Sequence, residues 1–270
     1  MNIFYWNCQG LGNAPTVKAL RRNVLTNKPL IIGLAKPIIN FVSWKAFKWE
    51  SLGYSFVDHN QNEDNVEILW VLNHEYVNLI SDIKADQMVS IVARIQGVTF
   101  FVSCVYSSKS YIKRGELWSE LGDISSQAPH KWTILGDFNT VLWPEDKTRS
   151  NFNRPAINNF SHSIDHCNLI EVSMVGAYFT WGRYTLNGQQ ASKLDRCLFQ
   201  LDDRNGSFRA LGLVLPKTHS DHNTLVVGIS IGDSHLDPIP FKFNNAWLVI
   251  PGCREAVIDA LNSVTLGSAF

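Results

Sequence analysis

Apolar and polar residues alternate with a period of two from Asn2 to Cys8, which puts successive side chains on opposite faces and predicts a strand whose end presents Asn7. Gly10 and Gly12 then open a loop. Pro15 starts a helix through about Asn27 that carries Lys18, Arg21 and Arg22 on a small basic face. From Leu30 to Ala35 the chain is continuously apolar, as a strand buried on both faces requires, and the run stops at Lys36-Pro37. The Trp- and Lys-rich stretch from Asn40 to Gly53 reads either as a loop covering the core or as aromatics and cations suited to nucleic acid. Strand-like segments follow at Tyr54 to Asp58, Ile68 to Leu72, Val89 to Ile95 and Val98 to Tyr106; with Gln96-Gly97 as a hairpin turn they predict an antiparallel meander.

Helical spacing returns from Ile112 to Ile124 through Leu117, Leu121 and Ile124. Trp132 to Asn139 then reads as a buried strand running into a tight turn, with Gly136 permitting the backbone to bend where Asp137 and Asn139 emerge. An amphipathic helix at about Pro155 to Cys167 carries Ile157, Phe160 and Ile164 on one side. Short strands are expected at Tyr178 to Trp181, Leu194 to Gln200, Phe208 to Val214 and Thr224 to Ile231. Asp233 to Pro240 is a linker by composition, and a last helix of roughly Gly252 to Leu261 follows Pro251.

At 270 residues the chain suits one α/β domain, residues 1–232, with a C-terminal extension at 233–270. Acidic and basic residues balance at 24 each, so any attraction to a polyanion must come from local patches rather than a global field. Five scattered cysteines without a Cys-x-x-Cys pair suggest a reduced, intracellular compartment. Met1 leads directly into the first strand, and no apolar run reaches membrane-spanning length, so neither secretion nor a membrane anchor is expected.

The polar residues at expected strand ends carry the chemistry. Asp137 and Asn139 flank Phe138, two residues apart, and can point the same way. Asn7, Tyr106, Asp195 in Lys193-Leu194-Asp195-Arg196, and Asp221-His222 after Ser220 join them. Each alone has a structural reading: an Asx turn, a core aromatic, an Asp195–Arg196 ion pair, a polar turn. Their ordered set, Trp6-Asn7-Cys8-Gln9-Gly10-Leu11-Gly12, Glu116-Leu117-Trp118, Gly136-Asp137-Phe138-Asn139, Phe179-Thr180-Trp181, Leu194-Asp195-Arg196 and Ser220-Asp221-His222, resembles the endonuclease/exonuclease/phosphatase family. Within that family it looks most like the endonuclease domain of plant LINE-type non-LTR retrotransposons, with Phe241 to Trp247 resembling the segment that leads toward a reverse transcriptase.

The resemblance implies a four-layer α/β sandwich: two packed mixed sheets with helices on both outer faces. It implies a monomeric, Mg2+- or Mn2+-dependent nuclease acting on double-stranded DNA. His222 would contact the scissile phosphate with Asp195 fixing its tautomer, Asp137 and Asn139 would position and activate water, and Tyr106 would donate to a phosphate oxygen. Asn7 and Asp221 would lie in or beside the metal site. Thr180, Trp181, Ser192, Arg114 and Lys113 would face DNA, with the Trp181 to Ala191 loop as a groove-probing hairpin. One departure opposes this set. The family's metal-ligating glutamate falls at Lys36, whose ammonium cannot ligate a cation and repels it by on the order of several kcal/mol at contact. Glu67 is the nearest candidate replacement, and Val66-Glu67 stand where the family carries small residues. Two further readings therefore stand beside the endonuclease: an inactive relic that still binds DNA, and a phosphatase on the same fold.

Overall fold

The computed structural model describes residues 1–39, 49–62, 65–73, 75–127, 132–149, 151–185, 188–200, 208–231 and 255. Most of the Trp- and Lys-rich stretch, the expected linker and, apart from Glu255, the expected C-terminal helix lie outside the described residues. In chain order the elements begin with β1 (Asn2–Asn7), α1 (Ala14–Asn27), β2 (Ile31–Ala35), β3 (Tyr54–Asn62) and β4 (Asn65–Asn73). There follow β5 (Val77–Lys84), β6 (Met88–Ile95), β7 (Val98–Tyr106), α2 (Tyr111–Gln127), β8 (Trp132–Asp137) and α3 (Arg154–His166). The series ends with β9 (Leu169–Glu171), β10 (Met174–Gly176), β11 (Trp181–Thr185), β12 (Gly188–Ser192), β13 (Asp195–Gln200), β14 (Phe208–Val214) and β15 (Leu225–Ile231).

Two mixed sheets result, ordered β10-β14-β15-β1-β2-β4-β3 and β5-β6-β7-β8-β13-β9, with β11-β12 as a separate hairpin. The period-two pattern explains the layering. Ile3 and Tyr5 of β1 pack with Ile31 and Trp70 against Val102, Cys104, Leu135 and Cys197 of the opposite sheet. Phe4 and Trp6, one position out of phase, bury with Leu20 and Val24 of α1. Trp132 and Ile134 of β8 likewise turn away from the inter-sheet layer to meet Leu117 and Leu121 of α2 and Phe160 and Ile164 of α3. Helix, sheet, sheet and helices make the four-layer α/β sandwich expected from the sequence.

Three expectations are corrected. The Tyr54 to Tyr106 region is not one meander: β3 and β4 pair with β2 in the first sheet, whereas β5, β6 and β7 open the second, so the chain changes sheet between Asn73 and Val77. The strand expected at Tyr178 to Trp181 starts only at Trp181. Gly136 is not a bend. It sits inside β8 opposite Val105 and Arg196, where an added Cβ would lie 2.5 Å from the Val105 Cβ and carbonyl oxygen, so glycine is required by close approach of β7. The bend falls three residues later, where Asn139 adopts φ 46°.

Candidate active site

The C-terminal ends of β1 and β8 and the start of β13 meet at one edge of the sandwich. Asp137 pairs with Asp195 across the antiparallel β8–β13 ladder and with Tyr106 across the parallel β7–β8 ladder. Tyr5 fixes the first sheet to this point. Its hydroxyl accepts a hydrogen bond from the Asp137 amide at 2.8 Å and donates to the Val105 carbonyl at 3.3 Å, and burial first, then the charges of Asp195 and Asp137, hold the phenol protonated. Past β8, Phe138 is fully buried against Phe160 and Trp118, with ring centroids 4.9 and 6.4 Å away. That anchor turns the chain so that the Asn139 amide donates to Asp137 Oδ1 at 2.9 Å while its Nδ2 donates to the Ser107 carbonyl at 2.6 Å.

Asn7, Asp137, Asp195 and His222, from four separate stretches of chain, form one buried network. His222 Nδ1 lies 2.8 Å from Asp195 Oδ2, Asn7 Nδ2 donates to Asp137 Oδ2 at 2.9 Å, and the same Nδ2 lies 3.3 Å from His222 Nε2. Ser220 staples the last arm in place: its hydroxyl donates to the Asn7 carbonyl at 2.7 Å and accepts from the His222 amide at 3.1 Å. The network meets solvent at Asp221, whose side chain is 37% exposed and whose Oδ1 is 3.8 Å from His222 Nε2. Trp181 holds that carboxylate by donating Nε1–H to Asp221 Oδ2 at 2.8 Å.

Charge is poorly balanced here. Burial lowers the His222 pKa, but the adjacent Asp195, Asp137 and Asp221 carboxylates outweigh it and raise the value to about 9. Burial, then the Asp195 charge, raises Asp137 to about 6 against the opposing pull of His222, the Asn139 amide and Asn7. Asn7 Oδ1, Asp195 Oδ1 and Asp221 Oδ1 are each buried without a hydrogen-bond partner. Ligand atoms from Asp137, Asp195 and His222 lie within 4.8 Å of one another. Unsatisfied hard oxygens beside surplus negative charge fit a divalent cation.

The remaining sequence-derived residues are distributed unevenly. Thr180 is buried, and its hydroxyl accepts from the amides of Leu194 and Asp195 at 3.0 and 2.9 Å, so it sets the start of β13. Ser192 is buried opposite Trp181 at the base of the β11–β12 hairpin, and Tyr106 is half-buried against the inter-sheet core. Arg114 lies under the Ser108-Lys109 loop rather than on an open face: 5% exposed, it donates Nη1–H to those two carbonyls at 2.8 and 3.0 Å. Lys113 is exposed on α2. Lys36 directly follows Ala35, the residue paired with Asn7, and takes φ 51°. The side chain of Glu67 lies outside the described residues.

Sequence reasoning missed the partners of Arg196. Being one residue from Asp195 it projects to the opposite face, where the fully buried guanidinium forms ion pairs with Asp146 through Nη2 and with Glu171 through Nη1 at 2.8 Å. Tyr178 donates to Asp146 Oδ1 at 2.8 Å, and Lys193 bonds Glu171 at 2.7 Å. The alternative reading of an Asp195–Arg196 ion pair therefore gives way to two separate polar clusters on opposite faces of β13.

No protein-family model matches the sequence, and no curated protein matches it either. Solved structures do. The endonuclease domain of TRAS1, a telomere-specific non-LTR retrotransposon, is 15% identical with TM-score 0.66 over 85% of this chain and 98% of that one. An endonuclease/exonuclease/phosphatase family protein from Bacteroides thetaiotaomicron is 12% identical with TM-score 0.65 over 86% and 98%. The 3′-5′ exonuclease NExo from Neisseria meningitidis is 17% identical with TM-score 0.63 over 85% and 100%.

Proposed function

We propose, from a chain that has the fold of the endonuclease/exonuclease/phosphatase proteins, that it hydrolyses phosphodiesters as the DNA endonuclease of a LINE-type retroelement. The observation that carries this reading is the buried Asn7–Asp137–Asp195–His222 network at the sheet ends, with orphaned oxygens and an opening at Asp221. Asp195 holds Nδ1 of His222 and so leaves Nε2 to exchange a proton with the substrate. Asp137, with its pKa near 6, is a base matched to neutral pH and can take the proton of an attacking water. Asn7 and Asn139 keep both of its oxygens oriented. A divalent cation held by the unpartnered oxygens of Asn7 and Asp221 would neutralise charge on the phosphoryl oxygens. Hydrolysis breaks the P–O3′ bond, leaving a 3′-hydroxyl that can prime synthesis by a reverse transcriptase, toward which residues 233–270 would lead.

A specific observation favours a second reading, an impaired relic. Ala35 is in register with Asn7, and the residue that follows it is Lys36, a cation where the resemblance implies a metal-ligating glutamate. Nicking of supercoiled plasmid under titrated Mg2+ tests both. The endonuclease reading expects metal-dependent nicking by the chain itself. The relic reading expects none until Lys36→Glu restores it. Release of phosphate from inositol phosphates without nicking would instead point to a phosphatase.

A further inference from the structure

A groove of about 840 Å³ runs beside α1, lined by Lys18, Arg21, Arg22, Leu25 and Thr26 together with His219. It lies outside the network described above but is joined to it. His219 precedes Ser220, which is bonded to the Asn7 carbonyl, and Trp6 Nε1 donates to the His222 carbonyl at 3.3 Å. The helix has three cations and no carboxylate, in a chain whose charges sum to zero overall. That local surplus selects a polyanion.

Its direction restricts which polyanion. The helix begins just after the loop that leaves Asn7, and its far end reaches back to the start of β1, where Asn2 Nδ2 donates to the Asn27 carbonyl at 3.4 Å. From Ala14 to Thr26 the groove descends about 18 Å along the side of the sandwich, away from the active-site edge. A duplex, with a persistence length near 150 base pairs, cannot follow such a turn at low cost. An unpaired strand can. Lys18 and Arg22 are exposed one turn apart, about 6 Å along the axis, and can meet successive backbone phosphates, while Leu25 and the alanines give an apolar floor for sugars and bases.

We propose that the α1 groove binds an unpaired DNA strand leaving the active site. This rests on the nucleic-acid reading of the site but is tested by binding alone. Full-length protein is titrated by fluorescence anisotropy with a blunt duplex and with the same duplex carrying a single-stranded dT tail at either the 3′ or the 5′ end. One tailed duplex should bind about tenfold tighter than the blunt one at low salt, with a salt slope steeper by about 1.4 for two added phosphate contacts. The Lys18→Glu/Arg22→Glu double variant, checked for native circular dichroism, should lose that advantage and that slope difference. Tails without effect, or a variant that retains the advantage, would overturn the proposal. So would an equal loss on blunt and tailed DNA, which would make the groove a duplex contact. His222→Ala keeps the two questions apart: it should abolish nicking while the tail preference stays, so a failure of the endonuclease reading shows in nicking and a failure of the groove shows in anisotropy.

Discussion

Asp195 and Arg196 are buried neighbours in β13, yet they feed two polar clusters of opposite character. On the Arg196 side, two cations (Arg196, Lys193) face two carboxylates (Asp146, Glu171), and Tyr178 caps the group. Asp146 also accepts from the Leu142 and Trp143 amides at 3.1 and 2.9 Å, fastening the loop after β8. On the Asp195 side, three carboxylates face one imidazole, and oxygens on Asn7, Asp195 and Asp221 remain unbonded. A cluster whose charges balance holds a fold together, even though Arg196 Nε is buried there without a hydrogen-bond partner. One left short of positive charge is poised for a ligand, and stability there is given up for reactivity.

Substitutions that split the two clusters sharpen this contrast. The largest effect on activity is expected from His222→Ala, a loss of nicking on the order of a thousandfold. The largest effect on stability is expected from Arg196→Ala, about 3 to 5 kcal/mol by denaturant unfolding, because Asp146 is left buried and uncompensated. If Arg196→Ala proves nearly neutral, the second cluster does not hold the fold.

Smaller effects follow from titration. His222 has a folded pKa raised from 6.5 to about 9, so it contributes stability that is fully present below about pH 6.5 and is lost as pH rises through 9. Metal-free protein should therefore lose thermal stability across that window, and His222→Gln should flatten the slope. Asp195→Asn should bring the imidazole pKa down toward its ordinary value, as read by NMR titration, and an unchanged value would remove Asp195 as a cause. The smallest change is expected from Tyr178→Phe, about 1 kcal/mol for one hydrogen bond to Asp146.

Period-two alternation made the strand ends at Asn7 and Asp137 legible, whereas Asp195 and His222 stood out through the ordered motifs' resemblance to a known family. Short or edge strands were not legible. In β5 nearly every residue is exposed, including Leu79, Ile80 and Ile83, so no alternation announces it. The three-residue strands β9 and β10 are too short to carry a period. Tyr5 reads as a core aromatic, and nothing local reveals that its hydroxyl meets Asp137, 132 residues away in sequence. The place of Arg196 was partly legible: adjacent residues in a strand face apart, which argues against the Asp195–Arg196 pair, although Asp146 and Glu171 could be found only in three dimensions.

The endonuclease reading stands most directly on supercoiled-plasmid nicking measured side by side for the chain and His222→Ala across a Mg2+ titration, with equal folded fractions confirmed. It predicts metal-dependent nicking that falls by about a thousandfold in the variant. Equal nicking by both proteins, or none by the chain even with Lys36→Glu, would contradict it.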